Sequence, residues 1–425
     1  MRKIITSILI ALAKLTLRKY SPGIIGITGS VGKTSTKEAI ATVLRGVRRV
    51  RASAGNFNGE IGLPLTILGD WPESELALFG RVSAGKSLFF GKLFFIAKAI
   101  IVSLWRLMFG SAIQYPELLV LEYGADKPLD IKELLDVVKP SMSVVTAVGN
   151  VPAHVEFYSG PEAVAREKGR LVEALPATGF AILNFDDEVV LEMKEKTRAH
   201  VITYGFGQGA EVRITGFENR SDNGRPSGIA FKLEYGGSFV PVRLDDCFGR
   251  AQAYAAAASA AVGFAFGMNL VKISEMLHYY QPPERRMKLL LGVKETYVID
   301  DSYNASPLAM EAAIETIKSL SVKGRKIGVF GDMLEIGKYA MDAHESIGRL
   351  AGKVFDALFV IGPRAKFIAE GAMKSGLAKK QIFSYDTVDE AEGHVGDLLK
   401  KGDLVLVKGS YAMHLDTLVD EIRQS

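Results

Sequence analysis

The chain is poor in the residues that build covalent or metal cross-links. It has one cysteine, Cys247, and six histidines in 425 residues, which excludes an internal disulfide and any cysteine-rich zinc site. It also lacks a large excess of charge. A net charge of +4 is too small for this length to argue a nucleic-acid partner, and none is expected. Nor is there an uninterrupted apolar run of the ~20 residues that a bilayer-crossing helix needs. "MRKIITSILIALAKLTLRKY" begins like a secretion signal, but it has no small-residue cleavage site and Lys14, Arg18 and Lys19 close it. "GKSLFFGKLFFIAKAIIVSLWRLMFG", residues 85–110, is interrupted by Lys86, Lys92, Lys98 and Arg106. Cations spaced along an aromatic-rich face suit a helix lying in a membrane interface, or a pair of helices packed on the body.

What is present is an ordinary globular balance, 48% apolar and 24% charged, long enough for about two or three domains. From Ile24 onward strand-like and helix-like runs alternate, the pattern of an α/β fold with a mainly parallel sheet. "GIIGIT", "ELLVLEYGA", "MSVVTAVGN", "GFAILN" and "HVITYG" read as buried strands. In "PEAVAREKGRLVEAL" Pro161 suits the first turn of a helix. The stretch "EVRITGFENRSDNGRPSGIAFKLEYGGSFVPVRL" changes to alternation with turn dipeptides such as Asn223-Gly224, which predicts antiparallel strands. "YYQPPERRMK" is the expected linker, and a second α/β series follows it. The expected architecture is therefore an amphipathic helix over 1–22 and a P-loop central domain over 23–283 with an amphipathic insertion at about 70–115. A C-terminal Rossmann-like α/β domain covers 284–425.

"GITGSVGKTSTKEAI" carries the first chemistry: a strand end, a glycine loop, Lys-Thr and a helix. Backbone N–H groups in such a loop cradle phosphates, its lysine meets the β/γ-phosphates, and its hydroxyl reaches Mg²⁺. Gly29, Ser30, Gly32, Lys33, Thr34 and Ser35 occupy these positions, while the usual first glycine would fall at Ile27, one residue after Gly26. ATP or GTP binding is the expectation. Such a loop, with a lone cysteine, implies a reducing, cytoplasmic setting, with the amphipathic stretches allowing peripheral contact on the inner face of the membrane. Glu122 ends a predicted strand and His154 follows another. An acid and an imidazole at adjacent strand ends can bind a divalent metal.

The runs "GITGSVGKTSTKE", "GNFNGEIGLPLTIL", "LEYGAD", "AHVEFYSGPEAVAREKGRLVEAL", "RRM", "DDSYNASPLAMEAAI", "VFGDMLEIG" and "VLVKGS", in this order, resemble the muramyl-peptide (Mur) ligase family. "DDSYNASP" and "GDMLEIG" resemble the branch adding D-alanyl-D-alanine to a UDP-N-acetylmuramoyl tripeptide. The resemblance implies ATP-driven formation of an acyl phosphate, then attack by an amine, in cell-wall peptide synthesis. It implies Lys33, Glu122, His154 and Lys168 as catalytic residues, with Thr34, Glu122, His154 and Lys168 about Mg²⁺ and Lys168 carried as a carbamate. It further implies that Gln252, Arg286, Asp301 and Asn304 engage the nucleotide. Lys408 and Ser410 would meet the dipeptide carboxylate, and Asn56 and Asn58 the muramyl-peptide acceptor.

Three departures are visible. Only about 22 residues precede the P-loop strand, where the family carries a uridine-binding domain, so a different muramyl acceptor, a lipid-linked one included, enters as an expectation. Gln252 and Ala255 stand where the family has two asparagines for the nucleotide, and the segment 85–110 looks inserted. Two other functions stay open at this point: a related ligase acting on another peptide or polyglutamyl acceptor, and a membrane-associated ATP-binding protein without ligase activity.

Overall fold

A computed structural model describes residues 2–55, 58–80, 86–111 and 114–424. Nine strands form the larger sheet: β1 (Gly23–Thr28), β2 (Val50–Ala52), β3 (Leu118–Glu122), β4 (Met142–Val145), β5 (Phe180–Asn184), β6 (His200–Gly205), β7 (Val212–Asp222), β8 (Arg225–Tyr235) and β9 (Ser238–Asp245). Their spatial order is β2-β3-β1-β4-β5-β6-β7-β8-β9. The strands from β2 to β6 pair in parallel and β7–β9 form antiparallel hairpins. Both hairpin turns place two residues at positive φ: Asn223 and Gly224, then Gly236 and Gly237. That geometry matches the twist of the strands it joins, which is why these dipeptides were readable as turns.

The smaller sheet has six strands: β10 (Lys288–Gly292), β11 (Thr296–Asp301), β12 (Lys326–Gly331), β13 (Ala357–Ile361), β14 (Ile382–Tyr385) and β15 (Leu404–Lys408). Their order is β10-β11-β15-β12-β13-β14, parallel except at β10. The α/β fold with a large, mostly parallel sheet and a second sheet is thus as the residue pattern implied. Buried strands such as β3 (LLVLE) and β13 (ALFVI) are continuous apolar runs because helices cover both sheet faces.

In the larger unit, the helices Lys33–Arg45 and Arg250–Ala265 pack against one another and against the sheet. The second is alanine-rich on purpose of space: Ala253, Ala257, Ala258 and Ala260 are fully buried, and larger side chains would push the helices apart. Ala255 is one of these core residues.

The other face of the sheet is covered by a separate apolar layer. It includes Leu9, Leu12 and Ala13 from the helix Arg2–Tyr20, Leu63 and Leu65 from Gly62–Leu68, and Phe95 and Ala99 from Lys86–Phe109. Both amphipathic stretches are therefore helices packed on the body by one face. No described helix is long and apolar enough to cross a membrane.

Candidate functional site

The site begins where β1 ends. β1 lies between β3 and β4, so chain segments leave it toward both sides and a crevice opens at its carboxyl end. There Gly29 (φ 146°) and Gly32 (φ 89°) turn the chain into the helix Lys33–Arg45. A Cβ on Gly29 would lie 1.9 Å from Thr146 Oγ1, so only glycine fits. Ser30 N–H donates to the Ala147 carbonyl at 2.6 Å, tying the loop to the end of β4.

Two lysines converge on this loop. Lys33 Nζ donates to the Gly29 carbonyl at 2.7 Å and Lys168 Nζ to the same oxygen at 3.1 Å. Both are enclosed. Burial holds the Lys33 ammonium below its ordinary pKa, with Glu122 opposing the shift and Arg286 reinforcing it. Burial, helped by Lys33, lowers Lys168 to about 7. A lysine in that state is part neutral at physiological pH and able to react as an amine.

Glu122 is brought here by register: Ile27 of β1 pairs with Glu122 of β3. Its carboxylate is buried. Lys37, fully buried one turn into the helix, reaches within 3.1 Å of Glu122 Oε1 and donates to the Gly55 carbonyl at 2.7 Å. The acid and this lysine thus form a buried ion pair. Lys37 was not singled out from the sequence, although it stands in the quoted "KTSTKE" four residues after Lys33.

His154 lies apart from that pair. Its Nε2 faces Asp126 Oδ1 at 3.4 Å and its Nδ1 faces Glu335 Oε2 at 2.5 Å. His154 and Glu335 both have positive φ, 66° and 62°, and Glu156 N–H donates to the Glu335 carbonyl. Asp126 also acts on Lys33 and Lys168, raising both against burial. Asp126 and Glu335 were missed by sequence reasoning. Each sits inside a quoted motif, "LEYGAD" and "GDMLEIG", but nothing in their spacing announced that they meet at one histidine.

The smaller sheet supplies the facing wall. Asp301 and Lys408 are register partners at the carboxyl ends of β11 and β15, with Lys408 Nζ 2.5 Å from Asp301 Oδ2. Burial raises the Asp301 carboxyl, and Lys408 is the strongest group opposing it. Lys408 also donates to the Asn304 carbonyl at 2.8 Å. Arg286 lies over the Tyr303 ring at 3.9 Å, between Arg285 and Met287, both at positive φ. Gln252 spends its amide within the protein: Nε2 donates to the Arg286 carbonyl at 2.9 Å and Oε1 accepts from Tyr280 at 2.7 Å. Ser410 Oγ accepts from Leu334 N–H and holds the loop that carries Glu335.

Between the two walls lies a cleft of about 700 Å³ lined by Ser30, Gly32, Thr34, Ser35, Gln252, Arg286, Asp301, Asn304 and Lys408. One side of it is the small-residue helix face Ala309, Ala312, Ala313 and Thr316, which leaves room for a flat group. Ala255 is not on the cleft wall. Among the described residues the structure thus brings together Lys33 and Lys168, Lys37 and Glu122, and the nucleotide candidates around the cleft. Thr34, Ser35 and Lys408 are on the cleft wall, whereas Lys33, Glu122, His154, Lys168 and Ser410 are not among the residues that line it. Asn58 is next to the acid, its carbonyl accepting from Gly124 N–H at 3.1 Å. Asn56 lies outside the described residues.

The donors fit a magnesium ion. The Thr34 hydroxyl and the Glu122 carboxylate, the latter paired with Lys37, are hard oxygen ligands, and this ion takes few of them from protein. No cluster of three or more His, Cys, Asp or Glu suited to a metal occurs among the described residues.

Comparison with known proteins gives the family. The family model "Mur ligase middle domain" matches residues 27–79 and 104–263, and "Mur ligase, glutamate ligase domain" matches 285–411. The UDP-N-acetylmuramoyl-tripeptide--D-alanyl-D-alanine ligase of Mycobacterium tuberculosis (strain H37Rv) is 30% identical over 94% of this chain and 72% of its own length. The Bacillus subtilis ligase of the same name is 28% identical over 97% and 79%. The crystal structure of MurF ligase from Thermotoga maritima in complex with ADP superposes with a TM-score of 0.75 at 25% identity, covering 98% of this chain and 83% of that one. With matches across both sheets, the chain belongs to the Mur ligase family.

Proposed function

We propose that the protein is an ATP-dependent carbon–nitrogen ligase of peptidoglycan precursor synthesis that joins D-alanyl-D-alanine to a muramyl-peptide carboxylate. The observation that carries this reading is the cleft itself: the P-loop residues Ser30, Gly32, Thr34 and Ser35 face Asp301, Asn304, Arg286 and Lys408, and Lys33 and Lys168 meet on the loop's Gly29 carbonyl, in a chain whose relatives bear that ligase name.

The residues divide the work. Loop N–H groups at the helix N-terminus and Lys33 take the triphosphate. Arg286, held flat by Tyr303 and at its carbonyl by Gln252, approaches the nucleotide from the linker side. The Asp301–Lys408 pair fixes the strand ends against which the nucleoside rests. The acceptor carboxylate attacks the γ-phosphorus and ADP leaves. The incoming amine then attacks the acyl carbon, the carbon–oxygen bond to phosphate breaks, and the amine proton is lost. Both steps gather negative charge where Lys33 is already placed. Thr34 and Glu122 would hold a magnesium ion, which would supply further positive charge there.

Lys168 as a carbamate belongs to the same proposal. Its support is the depressed pKa and a pocket shared with Lys33, where an anion would offset the adjacent cation. His154, with Asp126 and Glu335, is assigned to the acceptor side and would hold a second ion only on leaving Glu335. Asn58 is assigned to the acceptor through its loop. The domain limits 23–283 and 284–425 follow the two sheets and the linker at Arg285–Met287.

The test is phosphate release from ATP with the UDP-linked tripeptide and D-alanyl-D-alanine, each withheld in turn. Release that requires both supports the ligase. Release with the acceptor and a different amine transfers the reading to a related ligase, and no release with any pair contradicts it.

A further inference from the structure

The outer face of the layer below the sheet carries an observation that the ligase chemistry leaves unused. In the helix Lys86–Phe109, Phe95, Ile96, Ala99 and Ser103 are buried against the body. The opposite side is equally apolar: Phe94 is 76% exposed, Ile101 65%, Trp105 59% and Met108 73%. Their spacings of seven, four and three residues keep them on one stripe, ~21 Å long at the rise of an α-helix. The helix is thus apolar on both sides while only one is covered, which an ordinary surface helix avoids. The packed neighbour Arg2–Tyr20 repeats the pattern, burying Leu9, Leu12 and Ala13 and exposing Ile4, Ile8 and Leu15.

Charge selects the occupant. The two helices together hold nine Lys or Arg and no Asp or Glu. Lys98 is neutralised by Glu75, and Lys19 caps the carbonyls of Arg106 and Leu107. Lys3, Lys14, Arg18 and Lys92 make no ion pair among the described residues. A second copy of this face would bring cations onto cations. A bilayer surface rich in anionic phospholipid offers both an apolar boundary and the opposite charge, and Trp105 is the residue type that favours that boundary.

We infer that the helices Arg2–Tyr20 and Lys86–Phe109 form a docking face for anionic membrane surfaces, lying in the interface without crossing it. The face is coupled to the site by chain connectivity. The helix Gly62–Leu68 packs on Arg2–Tyr20 and follows directly from the loop whose Asn58 contacts Gly124, two residues beyond Glu122. Docking therefore sets the acceptor side of the cleft at a fixed attitude to the lipid. The inference does not rest on the ligase reading, because binding to vesicles needs no turnover.

The experiment is co-sedimentation of the full chain with vesicles of phosphatidylcholine alone, or with about 30% phosphatidylglycerol, together with tryptophan emission. Partition onto the anionic vesicles is expected to be at least about tenfold stronger and to fall with salt. Emission should shift to the blue, and Trp105→Phe should abolish that shift because the other tryptophan, Trp71, is buried. Phe94→Ser with Met108→Ser should cost about tenfold or more in partition while ADP binding is kept. Should that variant lose ADP binding through misfolding, Lys3→Glu with Lys14→Glu and Arg18→Glu, all exposed, decides the matter by abolishing the preference for anionic lipid. The inference is overturned by absence of partition, by partition indifferent to lipid charge, or by a wild-type dimer in solution that the serine variant dissolves.

Discussion

The two walls of the cleft differ in how far their charged groups are satisfied. On the small-sheet wall the ions are matched: Asp301 and Lys408 face each other at register positions, and Ser410 and Gln252 spend their polar atoms on loop and linker. On the large-sheet side the pairing is uneven: Glu122 meets Lys37 at 3.1 Å, while Lys33 and Lys168 make no ion pair among the described residues and crowd one carbonyl with pKa values pushed down. The lesson is a division of labour. Unmatched charge is held where phosphate and metal are to arrive, and a matched wall gives those ligands a firm surface to close upon.

The sharpest way to break this contrast is to remove the cation on the unmatched wall. Lys33→Ala should lower kcat by about 10³-fold or more, since its charge is needed as negative charge develops on phosphate. Steady-state kinetics checks this, with circular dichroism to show that the fold is kept. An effect below tenfold would mean that the wall's charge is not catalytic.

On the matched wall the same kind of deletion should strike stability instead. Asp301→Asn leaves Lys408 buried without its partner and should cost about 3–5 kcal/mol, read by urea unfolding. Asp301→Leu combined with Lys408→Met should recover most of that loss, because a buried ion pair gives little net stability over apolar packing.

Lys168 separates the walls by pH. Its folded pKa of about 7 lies below the ordinary lysine value of 10.5, so between these limits the unfolded chain binds more protons than the folded one. Unmodified protein should therefore gain stability as pH rises from about 7 toward 10.5. Below 7 both states are protonated and the cost of the buried charge is fully present. Lys168→Met should raise the melting temperature more at pH 6 than at pH 9, while removing turnover that a small added carboxylate partly restores. Equal melting shifts at both pH values would break the assignment of an unmatched ammonium.

The smallest effect is expected at the linker. Arg286→Ala should raise the KM for ATP by about tenfold, worth ~1.4 kcal/mol, with a lesser change in kcat. A pure kcat effect would place Arg286 on the reacting groups instead.

Much of this was legible in the residues. The P-loop, the strand alternation and the antiparallel excursion have local signatures, because glycine conformations, helix starts and turn dipeptides act over a few positions. The partners of those residues were not legible. Lys37 meets Glu122 only because β3 is laid beside β1 with Ile27 opposite Glu122. Glu335 meets His154 only because a loop of the small sheet reaches the large one. Gln252 stands where the family resemblance puts a nucleotide ligand, yet its amide is taken by Tyr280 and by the linker. Contacts set by sheet order leave no mark on local spacing.

The central claim is that the terminal phosphoryl group passes to the acceptor carboxylate before the amine arrives. It is tested most directly with an acceptor labelled with ¹⁸O in that carboxylate, by mass analysis of the phosphate released during turnover with D-alanyl-D-alanine. One labelled oxygen should appear in phosphate for each amide bond formed. Unlabelled phosphate, with the amide still formed, would contradict the account.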